Sequence, residues 1–100
     1  MDKRTIIEIS RLLANLTRLE ILEWLKDPEG NFPPQEAIEG FEDGVCATYI
    51  QRKAGLSQST ISTYLSSMNK FGLLTLTRRG KWSYFKRNEE TLKAYTAFFL

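Results

Sequence analysis

Along the first quarter of the chain, apolar residues recur at threes and fours: Ile6, Ile9, Leu12, Leu13, Leu16, Leu19, Leu22 and Leu25. That spacing predicts buried helical faces over residues 5–26. Asn15 and Thr17 interrupt it with residues suited to capping, so two helices are expected, with a sharp corner near Asn15. Asp27-Pro28 and Gly30 end the second helix. The periodicity then stops. Residues 27–45 (DPEGNFPPQEAIEGFEDGV) hold all three prolines, three of the six glycines and six acidic side chains. They read as a long connection with a helical turn at Pro34–Glu39, and Phe32 and Phe41 are available to pin it to the core. Connections of this length are often functional.

Helical spacing resumes in the middle of the chain. Thr48 to Ala54 forms one expected helix, Gly55-Leu56-Ser57 a turn, and Gln58 to Phe71 a second helix with Ile61, Leu65 and Met68 at i, i+4 and i+7. Ser57 suits the N-cap and Gly72 the position just past the C-terminus. The outward positions Gln58, Ser59, Ser62, Ser66 and Asn69 are polar. This is the form of a helix-turn-helix whose second helix enters the major groove of DNA. One position is off-pattern: four residues before the turn glycine, where a small residue is usual, stands Gln51.

From residue 73 to 87 the period changes to two, with β-branched and aromatic residues around a central Gly80, the signature of a hairpin. A two-residue turn at Arg79-Gly80 puts Leu74, Leu76 and Phe85 on one face and Thr75, Thr77, Trp82 and Tyr84 on the other. Its tip carries Arg78, Arg79 and Lys81. Asn88 then caps a last helix, with Glu89 and Glu90 at the positive end of its dipole. Leu92, Tyr95, Phe98 and Phe99 make an aromatic stripe that must pack on something, because so short a helix is marginal alone.

Charge sharpens this picture. The net charge of +2 hides a segregation. Residues 1–44 carry five basic and ten acidic side chains, whereas residues 45–88 carry eight basic ones and no Asp or Glu. An acid-free stretch that contains the turn motif is the footprint of a surface that meets phosphate. The chain has no histidine, which removes His-assisted nucleophiles and most zinc sites, and its carboxylates scatter over helix surfaces and one loop. No enzyme is expected, and no cofactor. The single Cys46 excludes an internal disulfide framework and suits a reducing compartment. With no apolar run of membrane-span length and no signal-like start, the expected location is the cytoplasm, away from membranes.

The order of elements is that of a winged helix-turn-helix: mainly α, about five helices and a two-stranded wing in one domain over residues 1–100. Leu12-Leu13-Ala14-Asn15-Leu16-Thr17-Arg18-Leu19-Glu20-Ile21-Leu22, Gly55-Leu56-Ser57-Gln58-Ser59-Thr60-Ile61-Ser62, Phe71-Gly72-Leu73-Leu74 and Arg78-Arg79-Gly80-Lys81-Trp82-Ser83-Tyr84-Phe85 carry a further likeness. Through these segments the chain resembles the ArsR family of small bacterial transcriptional repressors. The resemblance implies a homodimer on a palindromic operator, paired through helices near 3–14 and 89–100, with Ile6, Ile9, Leu92, Tyr95, Phe98 and Phe99 at the interface.

Many of these relatives sense metal through a Cys-x-Cys at the start of the helix before the turn. Here Cys46 fills the first position and Thr48 the second. One thiolate without histidine does not complete a soft-metal site, so no metal is expected there. Cys46 is left as a redox candidate or as a plain buried cysteine. The expected DNA contacts are Ser57, Gln58, Ser59, Thr60, Ser62 and Thr63 on the helix and Arg78, Arg79 and Lys81 on the wing. The sequence identifies no inducer. A winged-helix adaptor that binds protein instead of DNA is the alternative, and it requires an apolar recognition helix.

Overall fold

Side-chain caps set the helix starts. In a computed structural model that describes all residues from Met1 to Leu100, Asp2 accepts the Thr5 N–H at 2.8 Å and opens α1 (Lys3–Leu13). Asn15 accepts the Arg18 N–H at 3.0 Å and opens α2 (Leu16–Lys26), which makes the corner expected there. The Arg18 Nε donates to the Leu12 carbonyl at 2.6 Å, satisfying one of the carbonyls that α1 leaves free at its end.

The helical turn expected at Pro34–Glu39 is instead α3, Pro28–Asn31. The reason is local. Asp27 accepts the Gly30 N–H at 3.2 Å, and Pro28 sits at the first helical position, where its missing N–H costs nothing. Residues 33–44 form no helix and are organised by one side chain. The Gln35 Nε2 donates to the Gly40 and Gly44 carbonyls at 3.0 and 3.1 Å, and its Oε1 accepts the Cys46 N–H at 2.8 Å. Phe32 is buried in the core and Phe41 packs against it.

A short strand absent from the sequence reading follows, β1 (Val45–Cys46). It leads into α4 (Ala47–Ala54), then α5 (Gln58–Lys70), the hairpin β2 (Leu74–Arg79) and β3 (Trp82–Arg87), and α6 (Glu89–Ala97). The sheet order is β1-β3-β2, all antiparallel. Arg79 pairs with Trp82, so the two turn residues are Gly80 and Lys81, one place later than expected. Gly80 has φ +60°, as the first central residue of a type II′ turn requires. The face assignment survives the shift. Moving a two-residue turn by one residue displaces the pairing by two, which preserves the side-chain alternation. Leu76 faces Phe85 on one side and Thr77 faces Tyr84 on the other.

At the end of α5, Leu73 N–H bonds Met68 O at 2.9 Å and Gly72 N–H bonds Asn69 O at 3.0 Å, with Gly72 at φ +81°. This is a Schellman motif, and it drives the next residue, Leu73, fully into the core.

One core joins α1, α2, α4, α5 and the sheet, built from Ile9, Leu12, Ile21, Leu25, Ile50, Ile61, Leu65, Met68, Leu74 and Phe85 among others. Ile6 and Ile9 were expected at an interface between chains. They are 7% and 0% exposed, turned into the protomer's own interior. Periodicity identifies an apolar face but not the molecule that covers it. The exposed apolar residue of α1 is Ile7. No helix is long and apolar enough to cross a membrane.

Candidate nucleic-acid interface

Three buried side chains, Ile61, Leu65 and Met68, hold α5 against the core. Burial at this level is worth about 1.5–3 kcal/mol per side chain, enough to fix the helix rotation and leave its other face outward. That face begins at Ser57, whose Oγ accepts the Thr60 N–H at 3.2 Å. The same hydroxyl donates to Thr60 Oγ1 at 2.9 Å, and Thr63 Oγ1 donates to the Ser59 carbonyl at 3.0 Å. These hydroxyls are oriented by the helix itself, with lone pairs left to accept. Gln58, Ser59, Ser62 and Thr63 are exposed, and Thr60 is half-buried.

Gln51 explains its own off-pattern place. Half-buried, it donates its Nε2 to the Leu56 carbonyl at 2.9 Å and so ties α4 to the turn that launches α5. Gly55 enters that turn at φ +68°.

Between α5 and the hairpin runs a cleft of about 650 Å³. Gln58, Ser62, Ser66 and Asn69 line one wall, four positions on one helical face; Arg78, Lys81, Trp82 and Ser83 line the other, and Lys70 closes one end. The cations of the acid-free stretch therefore separate in space. Lys70, Arg78 and Lys81 face the cleft. Arg79 lies on the opposite sheet face, where its Nε donates to Asp43 at 2.8 Å. That guanidinium, first by its hydrogen bond and then by its charge, holds the Asp43 carboxyl below its ordinary value of 3.8. Lys86 donates to the Glu42 carbonyl at 3.2 Å, so the acidic connection is fastened to the back of the wing at two points. Lys53 sits over the rings of Trp24 and Phe32, and Arg87 pairs with Glu89 while donating to Leu22 O. The sequence reading missed Asp43 as a partner of the wing. The acidic pair 42–43 and the basic pair 78–79 are compatible with that pairing, but nothing local indicates the long-range contact.

Of the residues expected at a dimer interface, Phe98 and Phe99 are exposed, while Leu92 and Tyr95 are half-buried against the core. Tyr95 and Ser10 share a hydrogen bond of 2.8 Å between their hydroxyls, which joins α6 to α1. Cys46 is buried at the start of α4 with its thiol free. No three His, Cys, Asp or Glu side chains gather where a metal ion would be held.

A capped polar helix behind a short turn, flanked by a cationic two-stranded wing, defines the winged helix-turn-helix of DNA-binding transcriptional regulators. The comparisons agree. The chain belongs to the helix-turn-helix transcriptional regulators: it is 43% identical over 86 residues to the uncharacterised HTH-type transcriptional regulator YbzH of Bacillus subtilis (strain 168), covering 86% of each chain. It is also 30% identical over 87 residues to ArsR2 of Halobacterium salinarum, named as an arsenical resistance operon repressor, covering 87% of this chain and 62% of that one. No protein-family model matches the chain.

Among solved structures, HlyU from Vibrio cholerae N16961 shares the fold with a TM-score of 0.67 at 19% identity, over 99% of this chain and 94% of that one. NolR from Sinorhizobium fredii does so with a TM-score of 0.65 at 22% identity, over 95% and 81%. Both relatives are named for regulation of transcription, and the chain has the fold of these non-catalytic regulators.

Proposed function

We propose that the chain is a cytoplasmic, homodimeric repressor of the ArsR family that binds a palindromic operator in double-stranded DNA, and that it does not sense metal through the Cys-x-Cys position. The observation that carries this reading is the cleft, with a polar helix face opposite a cationic wing and no carboxylate among its lining residues.

Gln58, at the first position of α5, reads a base, since its amide can bond adenine at N6 and N7. Ser59, Ser62 and Thr63 contact bases or phosphate, Ser57 and Thr60 shape the helix start, and the first-turn amides take a phosphate. Arg78 and Lys81 hold the flanking backbone. Arg79 joins them only when Asp43 releases it. Phe98, Phe99 and the α1 residue Ile7, all exposed, supply the seam between two copies together with Leu92 and Tyr95, in place of the buried Ile6 and Ile9. An adaptor role is disfavoured by the polar character of the exposed face of α5.

Fluorescence anisotropy with DNA from the chain's own upstream region tests the reading. Two chains per duplex and a strong preference for a full symmetric site over a single half-site are expected. Equal affinity for unrelated DNA, or one chain per site, contradicts it.

A further inference from the structure

Beside the DNA cleft, and sharing Cys46, Thr48 and Trp82 with it, lies a second cleft of about 320 Å³, within the range of small-molecule sites. The connection, α4 and β3 each supply part of it. Tyr84 lines it, its side chain fully buried and its hydroxyl without a hydrogen-bond partner in the protein. Native proteins leave few buried hydroxyls in that condition, so the group calls for a partner. Burial raises its pKa, with Cys46 and Asp43 nearby adding to the effect, so the phenol is neutral and able to donate.

The other lining groups narrow what fits. Tyr49 and Trp82 offer aromatic rings to a flat, apolar body. Tyr49 accepts the Glu36 N–H at 3.1 Å, which leaves its O–H free to donate. Arg52 forms no salt bridge; its guanidinium lies 5.7 Å from the centre of the Tyr49 ring, placing a cation at the rim. Gln35 is occupied by its three backbone bonds. Glu36 is the one carboxylate among the lining residues, and it is exposed.

We propose that this cleft is an effector site for a small aromatic carboxylate, its ring against Tyr49 and Trp82, its carboxylate toward Arg52 and a second oxygen accepting from Tyr84. Because the walls come from the wing and from the connection that holds Arg79 through Asp43, an occupant shifts the wing and lowers DNA affinity. Only this last consequence rests on the DNA-binding reading.

The test is calorimetric titration of the full chain, without DNA, with 4-hydroxybenzoate and its neutral analogue 4-hydroxybenzamide. Saturable binding of the carboxylate is expected, weakened about tenfold by Tyr84→Phe and by Arg52→Gln, in line with the loss of one well-made hydrogen bond or ion pair. Glu36→Gln strengthens it, and the amide binds the parent and Arg52→Gln equally. Tyr84→Phe removes an unpartnered hydroxyl, so its melting temperature stays equal or rises and lost binding is not lost folding. No saturable heat, or binding indifferent to both weakening variants, overturns the site. Binding that leaves DNA affinity unchanged overturns its effector role.

Discussion

A glutamine where a small residue is usual looks like a misfit, yet Gln51 bonds the Leu56 carbonyl and steadies the turn before the recognition helix. Its neighbour in function, Gln58, is fixed by the opposite means: it stands free at the helix start while Ile61 and Leu65 below it are buried. Gln58→Ala is therefore expected to relax the preference at one base position by about 1–3 kcal/mol without weakening all sequences alike, as a panel of single-base operator variants would show. Gly44 has a purely structural part. At φ +105° an added Cβ would meet the Phe85 carbonyl where β1 pairs with β3. Gly44→Ala combines backbone strain with overlap, and a loss of about 2–5 kcal/mol is expected in denaturant unfolding. At this scale the sequence was most readable for caps. Asn15, Ser57, Gly72 and Asn88 all act as their types suggest, because capping depends on two or three neighbours along the chain. The contacts of Asp43 and Tyr84 depend on residues far away in sequence and were not readable.

Elements were legible where periodicity ran long. The recognition helix is legible from the i, i+4, i+7 spacing of Ile61, Leu65 and Met68, and the hairpin faces from alternation, even with the turn displaced to Gly80-Lys81. β1 was hidden because two residues cannot display a period. The apolar stripe of α1 is legible, but pattern alone does not distinguish burial within a chain, which Ile6 and Ile9 show, from burial between chains. The pairing of wing and connection also belongs to this scale. With the Arg79–Asp43 bridge in place, one cation of the tip is withheld from phosphate. Asp43→Asn is expected to tighten DNA binding at low salt and to steepen the dependence of log Kd on log salt by about one phosphate contact, measured by anisotropy. An unchanged slope would mean that Arg79 stays on the back of the wing even when unpaired.

Across the whole molecule, charge is sorted by face: the acidic half supplies the connection and the outer helix surfaces, and the acid-free half supplies the cleft. The pH response follows from the same inventory. Asp2, held down by the Thr5 hydrogen bonds, and Asp43, held down by Arg79, both have folded pKa values below the ordinary 3.8. A depressed carboxylate stabilises the fold above its unfolded pKa and loses that contribution as pH falls through the lower folded value. There is no histidine to titrate near neutrality. Thermal unfolding is thus expected to change little between about pH 5 and 7 and to move down only below about pH 4.

In the proposed complex the cleft between α5 and the wing grips DNA, with Arg78 and Lys81 neutralising phosphate. The most direct measurement is the salt dependence of DNA affinity for the parent chain and for Arg78→Ala/Lys81→Ala, on the operator and on unrelated DNA. The expected result is a steep linear fall of log affinity with log salt. The double variant should be weaker on both DNAs, with its slope reduced by about two contacts. Affinity that is flat with salt, or a slope that the double variant leaves unchanged, would contradict the account.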